Sequence, residues 1–299
     1  MEDAQLFLEA LERKAKFFAP AARATYEANR DLCSWLLNPL ARWAGSAYGS
    51  DAFDEAAHGY AEYCVGVAKA KRVYERAGKY TPEEMPEIMS RVYEEEGYMV
   101  PYMWAAILIY PFWPSMVNHI AMYRDDFVRR LPPDASVLEL ATGHGVLSLL
   151  AAEERPDIRV KGVDISPPAI AVAERLLAAS GHGDRVCFAV NDALKTSAPV
   201  NGDRCDGVLS AMLAEHLIDP KPLFKTMSQW VAKDGIVFFS TALESPQRDH
   251  VFEYNWESEP LRMAETERLR VTRLVSDASA TRNGFRFVPR ATAMILRPH

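Results

Sequence analysis

VLELATGHGVLSL, residues 137–149, begins as a short apolar strand and ends as the start of an apolar helix. Small residues and two glycines lie between. In an open parallel sheet, ligands bind beyond the carboxyl ends of the strands, where the strand order reverses. The first strand-to-helix turn must then let a ligand come close to the backbone, and small residues permit that. Ala141, Gly143 and Gly145 stand where larger side chains would collide with a bound molecule. A dinucleotide fingerprint needs a third glycine. Counting from Gly143, that position is Ser148, so the fingerprint is incomplete. Glu139 precedes the small residues. Its carboxylate would repel a pyrophosphate and suits an ammonium or sulfonium group.

Outward from this turn, strands alternate with helices. Strands are expected at 136–141, 159–166, 186–192, 205–212 and 235–242, with helices at 144–154, 168–180 and 220–232. Such alternation means parallel strands joined by right-handed crossovers. A helix near 258–277 and antiparallel edge strands in 285–298 close the chain. Residues 1–130 read instead as helices, at about 3–18, 22–43, 52–77 and 115–130. Another is expected to start at Thr81-Pro82-Glu83-Glu84, an N-cap with a capping-box glutamate, and to run to Gly97. Residues 98–123 hold no Lys, Arg, Asp or Glu, a length that suits a bilayer. Pro101, Pro111 and Pro114 should break that run into short pieces, so a buried, pocket-forming segment is expected and not a membrane span. The fold class is α/β: a doubly wound sheet of about seven mostly parallel strands, residues 131–299, with an N-terminal all-helical cap, residues 1–130.

Two further acids end strands. Asp164 lies 19 residues after Gly145, where an acid accepts hydrogen bonds from ribose hydroxyls. Asp192 ends the third strand and can accept from an adenine amino group. ELATGHG (139–145), GVDIS (162–166), NDAL (191–194) and LSAMLAEHLIDP (209–220), in that order, closely resemble the class I S-adenosylmethionine-dependent methyltransferases. That family has E/D-x-G-x-G-x-G at its first turn; here Ala141 takes the place of the first glycine. The resemblance covers about 134–242 well and the rest in architecture only. It implies a Rossmann-like sheet and S-adenosyl-L-methionine as cofactor. It makes Glu139, Ala141, Gly143 and Gly145 the methionine-side loop. Asp164 would hold the ribose, and Asp192 with Ala193 beside it would bracket the adenine. Ile165 and Asn191 join the same binding set. Ser210 and Ala211 would face the reactive end.

Methyl transfer from a sulfonium needs alignment and a dry cavity, and a base only if the acceptor must lose a proton. Asn118 and His119, on the helix before the first strand, are candidates, as are Tyr98 and Tyr102 in the aromatic segment. His144 is expected on the helix surface. Glu215-His216 is read as a helix start. Some metal-binding relatives carry Glu-x-x-Glu-His there, but Met212 replaces the first acid, so no metal is expected. The aromatic and methionine residues of 98–123 suggest a closed lid over a small organic acceptor. A methyltransferase of specialised metabolism is one reading. A cyclase that closes S-adenosylmethionine to azetidine-2-carboxylate and methylthioadenosine is the alternative, and a non-catalytic cofactor-binding partner a third. Net charge is −7, with no basic stripe, which disfavours nucleic acid as a partner. Four scattered cysteines and an acidic, amphipathic start without a signal-peptide pattern suggest a cytoplasmic setting. Apolar surface on the cap would allow a homodimer.

Overall fold

The computed structural model describes residues 3–196, 204–276 and 289–299. Seven strands form one sheet: β1 (Ser136–Leu140), β2 (Arg159–Asp164), β3 (Val186–Val190), β4 (Cys205–Ala211), β5 (Val231–Leu243), β6 (Leu269–Ser276) and β7 (Arg290–Pro298). Their order is β3-β2-β1-β4-β5-β7-β6. The first five run parallel, and β7 lies antiparallel between β5 and β6. The order reverses between β1 and β4, so the crevice falls beyond the ends of those two strands.

Period-two burial assigns each strand to both faces of the sheet. Val137, Ile236 and Phe238 join one apolar cluster, while Leu138, Val237 and Phe239 join another. The second cluster packs under α10 (Lys221–Trp230) and α11 (Ser258–Thr266) through Phe224, Met227 and Ala264. The first is larger. It contains side chains of α8 (Val146–Glu154) and α9 (Pro167–Ser180) and runs without a break into the N-terminal helices.

Those helices are α1 (Gln5–Lys14), α2 (Ala19–Ala28), α3 (Arg30–Tyr48), α4 (Asp51–Ala77), α5 (Met85–Ile88), α6 (Glu96–Phe112) and α7 (Pro114–Met122). α4 ends on Gly78 in the left-handed conformation, as its position suggests. α6 is one helix despite Pro101 and Pro111, contrary to the expected short pieces. α4 supports it there: a side chain at Gly59 would meet the carbonyl oxygen of Pro101 at 2.4 Å. Among the described residues, no helix is long and apolar enough to cross a membrane.

Two other expectations are corrected. The helix placed from Thr81 begins only at Met85 and passes into a π-helical turn, Met89–Tyr93. The chain before it is pinned to the loop after β5 instead. Glu253 accepts the backbone N–H of Tyr80 at 2.9 Å, Tyr80 Oη accepts that of Ser245 at 2.6 Å, and Arg248 pairs with Glu83 at 2.9 Å. The helix expected to reach 277 stops at Thr266, where Arg268 turns with φ 59° and β6 begins. Val271, Thr272 and Val275 are β-branched, and pairing with β7 decides for a strand. β7 is therefore interior and β6 the edge; residues 277 and 285–288 of these expectations lie outside the described residues.

Candidate functional site

A cavity of about 550 Å³ opens at the carboxyl ends of β1, β2 and β4, beneath α5, the π-helical turn and α6. Its floor is the turn after β1. Ala141, Gly143 and Gly145 all have positive φ, at 60°, 50° and 71°. Val163 fixes this turn by accepting the Thr142 N–H at 2.9 Å, and Thr142 accepts that of Gly145 at 2.8 Å. Ala141 and Gly143 line the cavity. Gly145 does not: a side chain there would strike Phe188 at 2.6 Å and Ala173 at 2.9 Å. Its smallness lets the turn sit on β3 and α9, which corrects the expectation of a ligand contact.

Glu139 is buried at the cavity's edge. Its carboxyl accepts the Thr142 hydroxyl at 2.8 Å and the Ser148 hydroxyl. Burial pushes it up to about 7 against those two hydrogen bonds, and the Asp164 charge adds to the rise. Asp164 ends β2, also buried. Its two oxygens accept Gly143 N–H at 2.8 Å and Ser166 N–H at 2.9 Å. Burial raises its carboxyl while these bonds and the His216 charge oppose the rise. Asp192 lines the far side, accepting Leu194 N–H at 2.9 Å. Ile165 and Ala211 line the cavity too.

Five other expected residues are placed elsewhere. Asn191 is exposed outside the cavity, tied by its N–H to the Asp164 carbonyl at 2.8 Å. Ala193 turns into the core beneath the sheet, and Leu194 takes its place at the cavity. Ser210 is fully buried, since it alternates with Ala211 along β4. Asn118 is exposed on α7, whereas His119 is fully buried where α7 crosses β7 and is pushed down to about 4 by burial. Neither reaches the cavity, because α7 packs on the sheet's flank and not over its crevice. Tyr102 does line it, and Tyr98, stacked on Tyr102 at 6.0 Å, lines a second cavity of about 400 Å³ between α4 and α6.

Several cavity residues carried no usable motif. His144, expected on the helix surface, is buried and lines the cavity. Its Nδ1 accepts the Val146 N–H at 3.0 Å, and burial pushes it down to about 3, so it stays neutral. Met85, Met89, Met99 and Met103 form the roof. Glu215 and His216 stand on a short 3₁₀ turn, Ala214–His216, after β4. Glu215 accepts Thr241 Oγ1 at 2.8 Å and Ala242 N–H at 3.2 Å, and its own carbonyl accepts the N–H groups of Val251 and Phe252. It thereby carries the loop after β5, which brings Asp249 and His250 to His216. Donor atoms of Glu215, His216 and His250 lie within 4.8 Å of one another. That spacing would admit a small cation, but both Glu215 oxygens are already engaged. His216 is moreover held as a cation: burial opposes its charge, yet Asp249 outweighs this and pushes it up to about 9.

A family profile described as a methyltransferase domain matches residues 116–270, just over half of the chain. The chain is 33% identical over 102 residues to ajmaline N-methyltransferase of Rauvolfia serpentina, covering 34% of each protein. The chain thus spans about a third of that relative's length. Its fold is similar to phosphoethanolamine N-methyltransferase 2 of Haemonchus contortus, solved with S-adenosyl-L-methionine (TM-score 0.53, 17% identity, covering 73% of this chain and 60% of that one). It is equally similar to the [4+2]-cyclase SpnF (TM-score 0.52, 13% identity, covering 62% and 83%). These two likenesses establish the fold alone. The profile match is of another kind, because it runs from α7 to the start of β6 and takes in every strand end that builds the crevice; on it, the chain belongs to the class I S-adenosylmethionine-dependent methyltransferase family.

Proposed function

We propose that the protein transfers the methyl group of S-adenosylmethionine to a small organic acceptor of specialised metabolism, with residues 1–130 as a cap over a cofactor-binding region, 131–299. One observation carries this reading: a single cavity with two chemically different ends. Acids Glu139, Asp164 and Asp192 stand at the sheet, and methionines with Tyr102 stand at the cap.

The acidic end fits the cofactor. Glu139 is a buried carboxyl that accepts the Thr142 and Ser148 hydroxyls, and an ammonium group would supply a counter-charge. Asp164, fixed by two backbone N–H groups, would accept the ribose hydroxyls. Asp192 would accept from the adenine amino group. Bound there, S-adenosylmethionine supplies an electrophilic methyl group on a sulfonium. The chain supplies alignment and dryness. Left-handed backbone at Ala141 and Gly143 keeps the floor low, and the methionine roof excludes water while leaving a soft, apolar wall for the acceptor. A roofed cavity suits a small molecule better than a polymer, which needs an open groove.

Calorimetry tests the site. Asp164→Ala should weaken S-adenosylmethionine binding by about 1–3 kcal/mol, the cost of leaving buried hydroxyls without an acceptor. Unchanged affinity would remove Asp164 from the site.

A further inference from the structure

His216 lines the cavity, and the cofactor reading leaves it unused. Its Nδ1 lies 3.1 Å from the Asp249 carbonyl oxygen and 3.3 Å from the Asp249 carboxylate. Tyr93 Oη, from the π-helical turn of the cap, stands 3.1 Å from the same nitrogen. The Tyr93 carbonyl also accepts the Ser166 hydroxyl at 2.6 Å, which pins this turn to the sheet. Three groups therefore hold one edge of the ring. Asp249 draws the proton onto Nδ1, and among the described residues Nε2 has no hydrogen-bond partner. The side chain keeps 12% of its surface open.

The groups that face His216 are Asp249, Glu215, His250 and Tyr93, with Asp164 across the cavity. Asp249 is fully buried and held down to about 2: burial would raise it, and the His216 charge and hydrogen bond outweigh that. Glu215 is spent on Thr241 and Ala242. His250 stays neutral, lowered by burial and by the His216 charge, with Nδ1 against the Ser245 carbonyl. Tyr93 keeps its proton, since burial raises it far above the usual phenol range. His216 is thus a fixed, charged donor. It does not act as a base near neutral pH. The walls around it, Leu213, Leu217, Ile218 and Met212, are apolar.

We propose that His216, oriented by Asp249 and Tyr93, is an oxyanion subsite: the acceptor is an apolar molecule with an acidic hydroxyl, bound as its oxyanion to the Nε2–H. This rests on the methyl-transfer reading and names its substrate class. The hydroxyl proton leaves to solvent on binding. An oxygen lone pair then forms the new bond to the methyl carbon as the carbon–sulfur bond breaks, its electron pair staying on sulfur. An anion and a sulfonium become a neutral methylated oxygen and a thioether. These two opposite charges attract strongly in a dry cavity, and the step neutralises both of them. Phenolates and carboxylates share this chemistry.

The probes are 4-nitrophenol, whose phenolate absorbs in the visible, and benzoate, with nitrobenzene as the uncharged control. Each is titrated into full-length protein saturated with S-adenosylhomocysteine, near pH 6. We expect one or both oxyanions to bind, nitrobenzene to bind much more weakly, and any bound nitrophenol to show its phenolate band. Phenolate binding alone assigns a phenol, and benzoate binding alone a carboxylic acid. His216→Gln should weaken the oxyanion roughly 10- to 100-fold, the worth of a charge-assisted hydrogen bond, with S-adenosylhomocysteine affinity kept. Asp249→Asn should abolish the phenolate band through loss of the charge on His216. The inference is overturned if neither oxyanion binds, if nitrophenol binds un-ionised, or if His216→Gln behaves like the parent. If S-adenosylhomocysteine itself does not bind, the methyl-transfer reading falls, and the subsite with it.

Discussion

Glu139 shows how burying a carboxyl ties stability to pH. Its carboxyl is buried, and its ionisation lies at about 7 against an ordinary 4.5. The folded chain therefore holds the proton longer than the unfolded one. The stability this provides is complete below about pH 4.5 and drains away as pH rises through about 7. With Glu139→Gln, the loss between about pH 5 and about pH 8 should shrink by about 2 kcal/mol. Urea unfolding at the two pH values checks this, and an equal loss in both chains contradicts it. Glu139, Asp164 and Asp192 were legible in the sequence because strand ends and spacing mark them. Asp249 was not. It reaches His216 across 33 residues on a loop without a motif, carried by backbone bonds to Glu215. Gly145 was legible as a required glycine, but its partners, Phe188 and Ala173, belong to elements that only folding brings near.

At the scale of elements, periodicity found the strands of the sheet and α4, and failed where tertiary pairing decides. Residues 269–276 continue a helical pattern on paper yet become β6, because β7 offers an edge. Pro101 reads as a break, yet α6 passes through it because α4 braces it at Gly59. Gly59 and Pro101 both line the smaller cavity. Gly59→Ala should destabilise the fold by about 1–3 kcal/mol, since the added carbon meets backbone that cannot rotate away. Thermal melts followed by circular dichroism check the loss, and an unchanged midpoint would mean that the two helices separate freely. The π-helical turn had no signal at all in its five residues, although it delivers Tyr93 to His216.

In the whole molecule, cap and sheet share one apolar cluster, from Phe7 in α1 to Ile295 in β7. The cap is therefore built into the core, and the cavity is roofed before any ligand arrives. On the methyl-transfer reading proposed above, S-adenosylmethionine is consumed only when an acceptor is present. The family fold alone does not decide this, since the [4+2]-cyclase SpnF has a similar one. The most direct measurement is to incubate the pure protein with S-adenosylmethionine alone, pass it through a desalting column, and analyse the bound and free fractions by liquid chromatography–mass spectrometry. We expect intact S-adenosylmethionine to travel with the parent protein, unconsumed, and to be lost from Asp164→Ala. Methylthioadenosine accumulating with a four-carbon amino acid, above spontaneous breakdown, would contradict methyl transfer and make the aromatic cap the wall of a cyclisation site.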